Sequence, residues 1–376
     1  MLKTDPVIVD YNMITSYGMG VDICWEGLLK NQSAIKDIQR FDASHFHAQE
    51  AAIINDIFIK EEESLVMQML TKTRSDMKME ISSDTDMILT SLNGEIDFLE
   101  QEVLSSKDVS TESRLDILLD RSKELFGVKG KAMLISAACA SSGVAIARAA
   151  SMIKAGQSDS VLVVSCDCVS EFLVAGFSSL MALDKDRARP FDKNRRGLTI
   201  GEAAAYVLIL SRERADKEQR KIIGNIRGWG LSCDAHHMTG PAVDGKGLVA
   251  AIERALSVAN ISQEDISNIS AHGTGTVYND SMEMKAFKKV FKENNMPTYS
   301  IKGGLGHTMG AAGMIDLIIA LKTLEANVIP PTVGVVDIAD DAKGWISSDA
   351  IEFEGNKILS TNSGFGGMNA ALIITV

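Results

Sequence analysis

The stretch LISAACASSGVAIARAA, Leu134 to Ala150, changes character at one cysteine. Before Cys139 the run is apolar and strand-like; around it stand Ala137, Ala138, Ala140, Ser141, Ser142 and Gly143, small residues that permit a sharp strand-to-helix turn and the close approach of a substrate. SSGVAIARAASMIKAG then reads as a helix ending at Gly156, with Lys154 near the negative end of its dipole. A thiol at such a helix N-terminus meets the positive dipole end and unpaired N–H groups. That position predicts a lowered pKa, a thiolate nucleophile and donors for an oxyanion. A buried cysteine filling space beside a tight turn explains the same residues.

Outward from this turn, short β-rich runs alternate with amphipathic or alanine-rich segments. The runs are PVIVDY, DMILTSL, AMLISAA, SVLVVSCD and AAAYVLIL, then KIIGNIRGWGL, ISNISAH, PTYSIKG and AALIITV. The alternation predicts an α/β protein with largely parallel sheets. Two halves are expected, residues 1–210 and 211–376, meeting at the charged segment Ser211 to Lys221. GLTIGEAAAYVLIL closes the first half and NSGFGGMNAALIITV the second, an echo that hints at internal duplication. Asp42 to Ser106, with acidic patches such as IKEEESL and few turn signals, reads as helical.

A chain of 376 residues can bury a large core, and its 45% hydrophobic and 23% charged residues are ordinary for a globular protein. No apolar run reaches the roughly 18 residues of a membrane span, and nothing basic and apolar opens the chain as a signal peptide would, so a soluble, cytoplasmic protein is expected. The net charge of −12 repels nucleic acid and anionic membranes, so any acidic partner needs a local basic patch. The five cysteines are odd in number and lack C-x-x-C spacing, which argues against a disulfide framework and a structural zinc site. Cys166 and Cys168, two apart in an apolar run, read as buried small hydrophobes.

Two further stretches bring histidines to strand ends. AHGTGT places His272 after the strand-like ISNIS, with Thr274 and Thr276 beside it. KGGLGHTMGAAG places His307 five residues after Lys302, again before a small-residue helix. One histidine in an apolar setting is usually structural. Three reactive groups at three strand ends, each ringed by Gly, Ala, Ser and Thr, are hard to explain by packing.

These residues resemble the β-ketoacyl synthase family of the thiolase superfamily, in its elongating Cys-His-His branch. The resemblance rests on the ACAS-like turn at Cys139, HGTGT at His272, and the lysine and histidine of KGGLGHTMGAAG, with RPFDKNRRGLTIGEAA and NSGFGGMN in support. It is strong from Lys131 to the C-terminus. It implies a thiolase-like five-layered αβαβα fold from two duplicated halves, usually dimeric, and a decarboxylative Claisen condensation. By resemblance, Cys139 takes an acyl chain from acyl carrier protein, with the N–H groups of Cys139 and Phe365 as the oxyanion hole. His272 and His307 stabilise the enolate formed from a malonyl-type extender, Lys302 orients His307, and Asp280 and Glu283 support the network. Thr274 and Thr276 match residues that bind the pantetheine arm, and Phe365 matches a gating aromatic.

The basic cluster Arg187, Arg189, Lys193, Arg195 and Arg196 is the candidate docking patch for the acidic carrier. No metal and no cofactor is expected beyond the carrier's own phosphopantetheine. The expected partner besides the carrier is a second synthase-like subunit, in a homodimer or a heterodimer.

VIVDYNMITSYG lacks the family's glycine-rich opening, the segment before RARPFD is short, NDSMEM stands where GDPIE is common, and Ser363 and Met368 replace the usual Phe and Thr. These departures leave the reaction class intact and make polyene or aromatic polyketide assembly as plausible as fatty-acid elongation. A non-catalytic, chain-length-determining subunit usually lacks the cysteine that stands here. A degradative thiolase would carry a second cysteine near the C-terminus, and none follows Cys233. The initiating synthases carry Asn where His307 stands.

Overall fold

The computed structural model describes residues 2–105, 113–292 and 294–376. In the first half the strands are β1 (Pro6–Thr15), β2 (Asp86–Thr90), β3 (Ala132–Ile135), β4 (Ser160–Asp167) and β5 (Ala203–Ser211). The second half has β6 (Gly224–Cys233), β7 (Asn268–Ser270), β8 (Thr298–Tyr299), β9 (Lys357–Gly364) and β10 (Met368–Thr375). Their spatial order is β8-β7-β9-β10-β6-β1-β5-β4-β2-β3. Matched strand for strand, the two halves have the same order, and β5 and β10, the strands of the two echoing sequences, occupy equivalent places. The halves join through β1 and β6, with Val7 opposite Asn225 and Ile8 opposite Gly224.

The sheets are mixed, which corrects the expectation of largely parallel ones. In each half the strands before the central helix pair in parallel with their neighbours, while β4 with β5, β9 with β10, β1 with β5 and β6 with β10 are antiparallel. The physical reason is the connections: β9 and β10 are joined by a tight turn at Phe365–Gly367, which only an antiparallel pair can accept.

The helices are α1 (Leu65–Ser75), α2 (Leu115–Phe126), α3 (Ser141–Lys154), α4 (Glu171–Ser179), α5 (Lys246–Ala259), α6 (Val277–Phe291) and α7 (Ala312–Ala326). Strand β4 shows why they form layers. All eight of its residues are buried; Val161 and Val163 pack toward α3 and α7, and Leu162 and Val164 toward α1 and α2. A strand covered on both faces reads as a continuous apolar run. On the other sheet, α5 and α6 cover the outer face. The layers are thus α1/α2, sheet, α3/α7, sheet, α5/α6, the five-layered αβαβα arrangement.

Helix α7 is apolar almost all round because it lies between the two sheets. It meets α3 at two glycines: a Cβ on Gly313 would stand 2.8 Å from Gly143 N and 2.5 Å from Asn362 Oδ1, so no larger residue fits at this crossing. The segment from Asp42, read as helical, holds α1, a helix at Ile96–Leu104 and strand β2, with irregular backbone between them; Ser106 lies outside the described residues. Extended backbone near Glu50 is tied down by Glu202, which accepts the N–H groups of Ile54 and Val169 and binds Arg40 at 2.5 Å.

Candidate active site

Cys139 stands between β3 and α3, in a turn drawn tight by small side chains. Ala138 is left-handed at φ 49°, and Ser141 Oγ accepts from Ala137 N at 2.8 Å and donates to Ala138 O at 2.6 Å. A non-glycine residue at positive φ is strained, so the surrounding bonds hold the cysteine where an unconstrained turn would not. The sulfur is within reach of the N–H groups of Cys139 and Phe365. The expected thiolate is corrected: burial pushes the thiol up to about 12, outweighing Lys302 and both N–H donors. A dipole that lowers an exposed thiol's pKa does not overcome the loss of solvent around a cysteine that is 4% exposed.

His272 follows β7. Glu283 accepts the N–H groups of His272 at 2.8 Å and Gly273 at 2.7 Å. Asp280 accepts those of Thr274 at 3.0 Å and Gly275 at 3.2 Å, and of Phe191 at 2.8 Å. Both acids stand on α6 and hold the His272 turn by its backbone N–H groups, and the Lys302 charge acts on Glu283. Thr276 caps α6, accepting from Asn279 N, and its hydroxyl lies 2.9 Å from that of Thr274.

His307 comes from the segment leading into α7. Its backbone N–H donates to Thr199 O at 2.7 Å. Its Nδ1 accepts from Met309 N at 3.3 Å, which leaves the ring proton on Nε2. The two imidazoles are 5.1 Å apart between ring centres and nearly perpendicular. Burial, then the Lys302 charge, pushes His307 down to about 3 and His272 well below the usual range, with His307 contributing to the latter. Both rings are neutral, the state in which an imidazole N–H can donate without adding a charge.

Lys302 is buried and its Nζ lies 3.3 Å from Asp316 Oδ2. Asn362 Nδ2 donates to the same oxygen at 2.8 Å. Sequence reasoning missed Asp316 and Asn362; the available signal was a lone acid inside the apolar run AAGMIDLIIAL.

Cys139, His272, His307, Thr274, Thr276 and Phe365 line one cavity of about 400 Å³. The Phe365 ring lies 6.0 Å from that of Phe177 on α4. A larger cleft of about 590 Å³, bordered by Arg40, Phe58 and Arg187, contains none of these groups. Of the basic cluster, Arg196 is exposed and lines the cavity mouth. Arg187 is half exposed and pairs with Glu50 at 3.0 Å; Arg189 faces Asp186 and Lys193 faces Asp337, each at 4.0 Å. Arg195 does not belong with them: it is buried, donating to Asp192 O and Ser281 Oγ and lying 3.7 Å from Asp280. Cys166 and Cys168 are fully buried in the outer core of the first half.

Two family models cover more than half of the chain: the beta-ketoacyl synthase N-terminal domain matches residues 121–215 and its C-terminal domain residues 223–336. The chain belongs to the beta-ketoacyl synthase family. Among its synthase relatives, the 3-oxoacyl-[acyl-carrier-protein] synthase 2 of Coxiella burnetii is 27% identical, covering 100% of this chain and 99% of the relative. The oxytetracycline polyketide putative beta-ketoacyl synthase 1 of Streptomyces rimosus is 28% identical over 98% of this chain and 96% of its own length. The solved structure of the ishigamide ketosynthase/chain length factor superposes with a TM-score of 0.91 at 28% identity, covering 99% of each chain. The Xenorhabdus doucetiae ketosynthase ApeO in complex with its chain length factor ApeC gives 0.85 at 25% identity, over 99% of this synthase and 98% of that chain.

Proposed function

We propose that this synthase is a 3-oxoacyl-[acyl carrier protein] synthase that condenses a Cys139-bound acyl chain with malonyl-carrier protein, in fatty acid or polyketide/polyene biosynthesis. The observation that carries the reading is the convergence of one thiol and two neutral imidazoles, drawn from both halves, on a single cavity. The acyl thioester of the carrier exchanges with the Cys139 thiol, and the proton of that thiol leaves on the carrier's pantetheine sulfur. Malonyl-carrier then loses carbon dioxide, and the enolate oxygen accepts from His272 and from His307 Nε2. The enolate carbon attacks the Cys139 thioester, and the N–H groups of Cys139 and Phe365 hold the tetrahedral oxyanion. Collapse expels the Cys139 sulfur as a thiolate, which takes a proton from water, and the 3-oxoacyl chain leaves on the carrier.

Burial, reinforced by the Lys302 charge, keeps both imidazoles neutral, and Lys302 is itself held by Asp316. Thr274 and Thr276 at the mouth suit the amides of a pantetheine arm, which needs no cofactor of the protein's own. Arg187, Arg189, Lys193 and Arg196 offer the carrier a basic approach against a net charge of −12. We also assign the two halves as residues 1–210 and 211–376, a dimer with itself or with a synthase-like partner, and a cytoplasmic site of action. Among the described residues, no helix is long and apolar enough to cross a membrane.

The test is the intact mass of the protein after mixing with a panel of acyl carrier proteins, beside Cys139→Ala. An acyl-sized gain that is lost in the variant is expected. No gain with any chain overturns the reading in favour of a non-catalytic subunit.

A further inference from the structure

Asp167 ends β4 with its side chain fully buried, and the condensation chemistry leaves it unused. Its carboxylate gathers donors from two separate segments. Ser91 Oγ and the N–H groups of Leu92 and Asn93 donate to it at 2.9, 2.9 and 3.2 Å, closing the turn after β2. Gly310 N donates to Oδ2 at 2.8 Å. Two residues earlier on the same strand, Ser165 Oγ donates to Gly310 O at 3.2 Å. Gly310 is therefore gripped at both its N–H and its carbonyl by the end of β4.

The residue before Gly310 is Met309, fully buried and left-handed at φ 52°. Its N–H donates to His307 Nδ1 at 3.3 Å, so one strained residue links the gripped glycine to the imidazole. A β-carbon at positive φ is strained and persists only where neighbouring contacts over-determine it. Burial pushes the Asp167 carboxyl up to about 6, so at neutral pH it is ionised and can accept all of these donors.

We propose that Asp167, with Ser165, is a positioning residue that clamps Gly310, holds Met309 in its strained turn and so fixes the Nε2–H tautomer of His307. The step from tautomer to catalysis rests on the enolate role proposed for His307 above; the clamp itself does not. The carboxylate belongs to the first half and the histidine to the second, so the clamp also ties the two halves at the site.

The test is Asp167→Asn in the full-length protein, which keeps the size and one acceptor oxygen but turns an N–H group toward Gly310 N. Nitrogen-15 spectra of histidine-labelled protein, with the His307 signal assigned by its loss in His307→Ala, are expected to show one Nε2–H tautomer in the wild type and a mixture in the variant. Malonyl decarboxylation is expected to lose about 10-fold in kcat with KM unchanged, while acylation of Cys139 persists. Adding Met309→Gly, which needs no clamp to adopt positive φ, restores the tautomer. An unchanged tautomer and kcat in Asp167→Asn overturn the proposal. If that variant does not fold, Ser165→Ala is read in the same way. A tautomer change in a protein whose wild type decarboxylates nothing supports the clamp and overturns the synthase reading instead.

Discussion

Lys302 Nζ lies 3.3 Å from Asp316 Oδ2 with both side chains almost wholly out of water, and Asn362 Nδ2 donates to the same oxygen. Removing one member of a buried pair strands the other charge. Asp316→Ala is accordingly expected to cost about 3 to 5 kcal/mol, read by urea unfolding. A loss near zero would mean that Lys302 finds another acceptor.

The two imidazoles and the thiol separate by reaction step. Cys139→Ala is expected to abolish covalent loading. His272→Ala and His307→Ala should leave acyl transfer to Cys139 measurable while decarboxylation falls on the order of 100-fold or more, the usual cost of losing a donor to a developing oxyanion. Carbon dioxide release from malonyl-carrier, measured apart from loading, decides this, and unchanged release removes both roles.

Stability carries a signature of the buried histidines. Unfolded, each imidazole takes a proton as pH falls through about 6.5; folded, His307 resists until about 3 and His272 is held well below its usual value. The unfolded chain then binds more protons than the native one, so stability falls as pH drops below about 6.5. The loss is about 1.4 kcal/mol per pH unit for each histidine. Urea midpoints at several pH values should show a shallower acid slope for His307→Ala than for the wild type.

Arg195 and Arg196 are neighbours in sequence with opposite surroundings. Arg196→Ala, at the exposed mouth, is expected to raise KM for carrier-bound substrate several-fold with little change in kcat or Tm. Arg195→Ala removes the guanidinium beside Asp280 and should lower Tm instead. Steady-state kinetics at low and moderate salt, with thermal melts of both variants, check the contrast.

Much of this was legible in the chain. Strands buried on both faces announce themselves as unbroken apolar runs, and the turns at Cys139, His272 and His307 stand out because small residues crowd around one reactive group. Strand β9 was missed for the converse reason: KILSTNSG carries Ser360 and Asn362 on its inner face, where Asn362 reaches Asp316, so its polar residues disguise a buried strand. The Cys139 thiol was misjudged because helix-end electrostatics can be read from sequence and desolvation cannot. Asp167 was invisible as a site residue because its partners, from Ser91 to Gly310, come from segments far away in the chain; Asp316 offered a signal, a lone acid in an apolar run, that went unread. Arg195 shows the limit of reading a charge cluster as a surface, since only the fold distinguishes an arginine in water from one beside Asp280.

Cys139 is almost wholly buried and shares its cavity with Phe365, so a reagent reaches the sulfur only through that one opening. Reactivity is switched on by what arrives: a slender arm that threads the mouth and presents its thioester where the two N–H groups already point. Access, more than acidity, decides which molecules this cysteine meets.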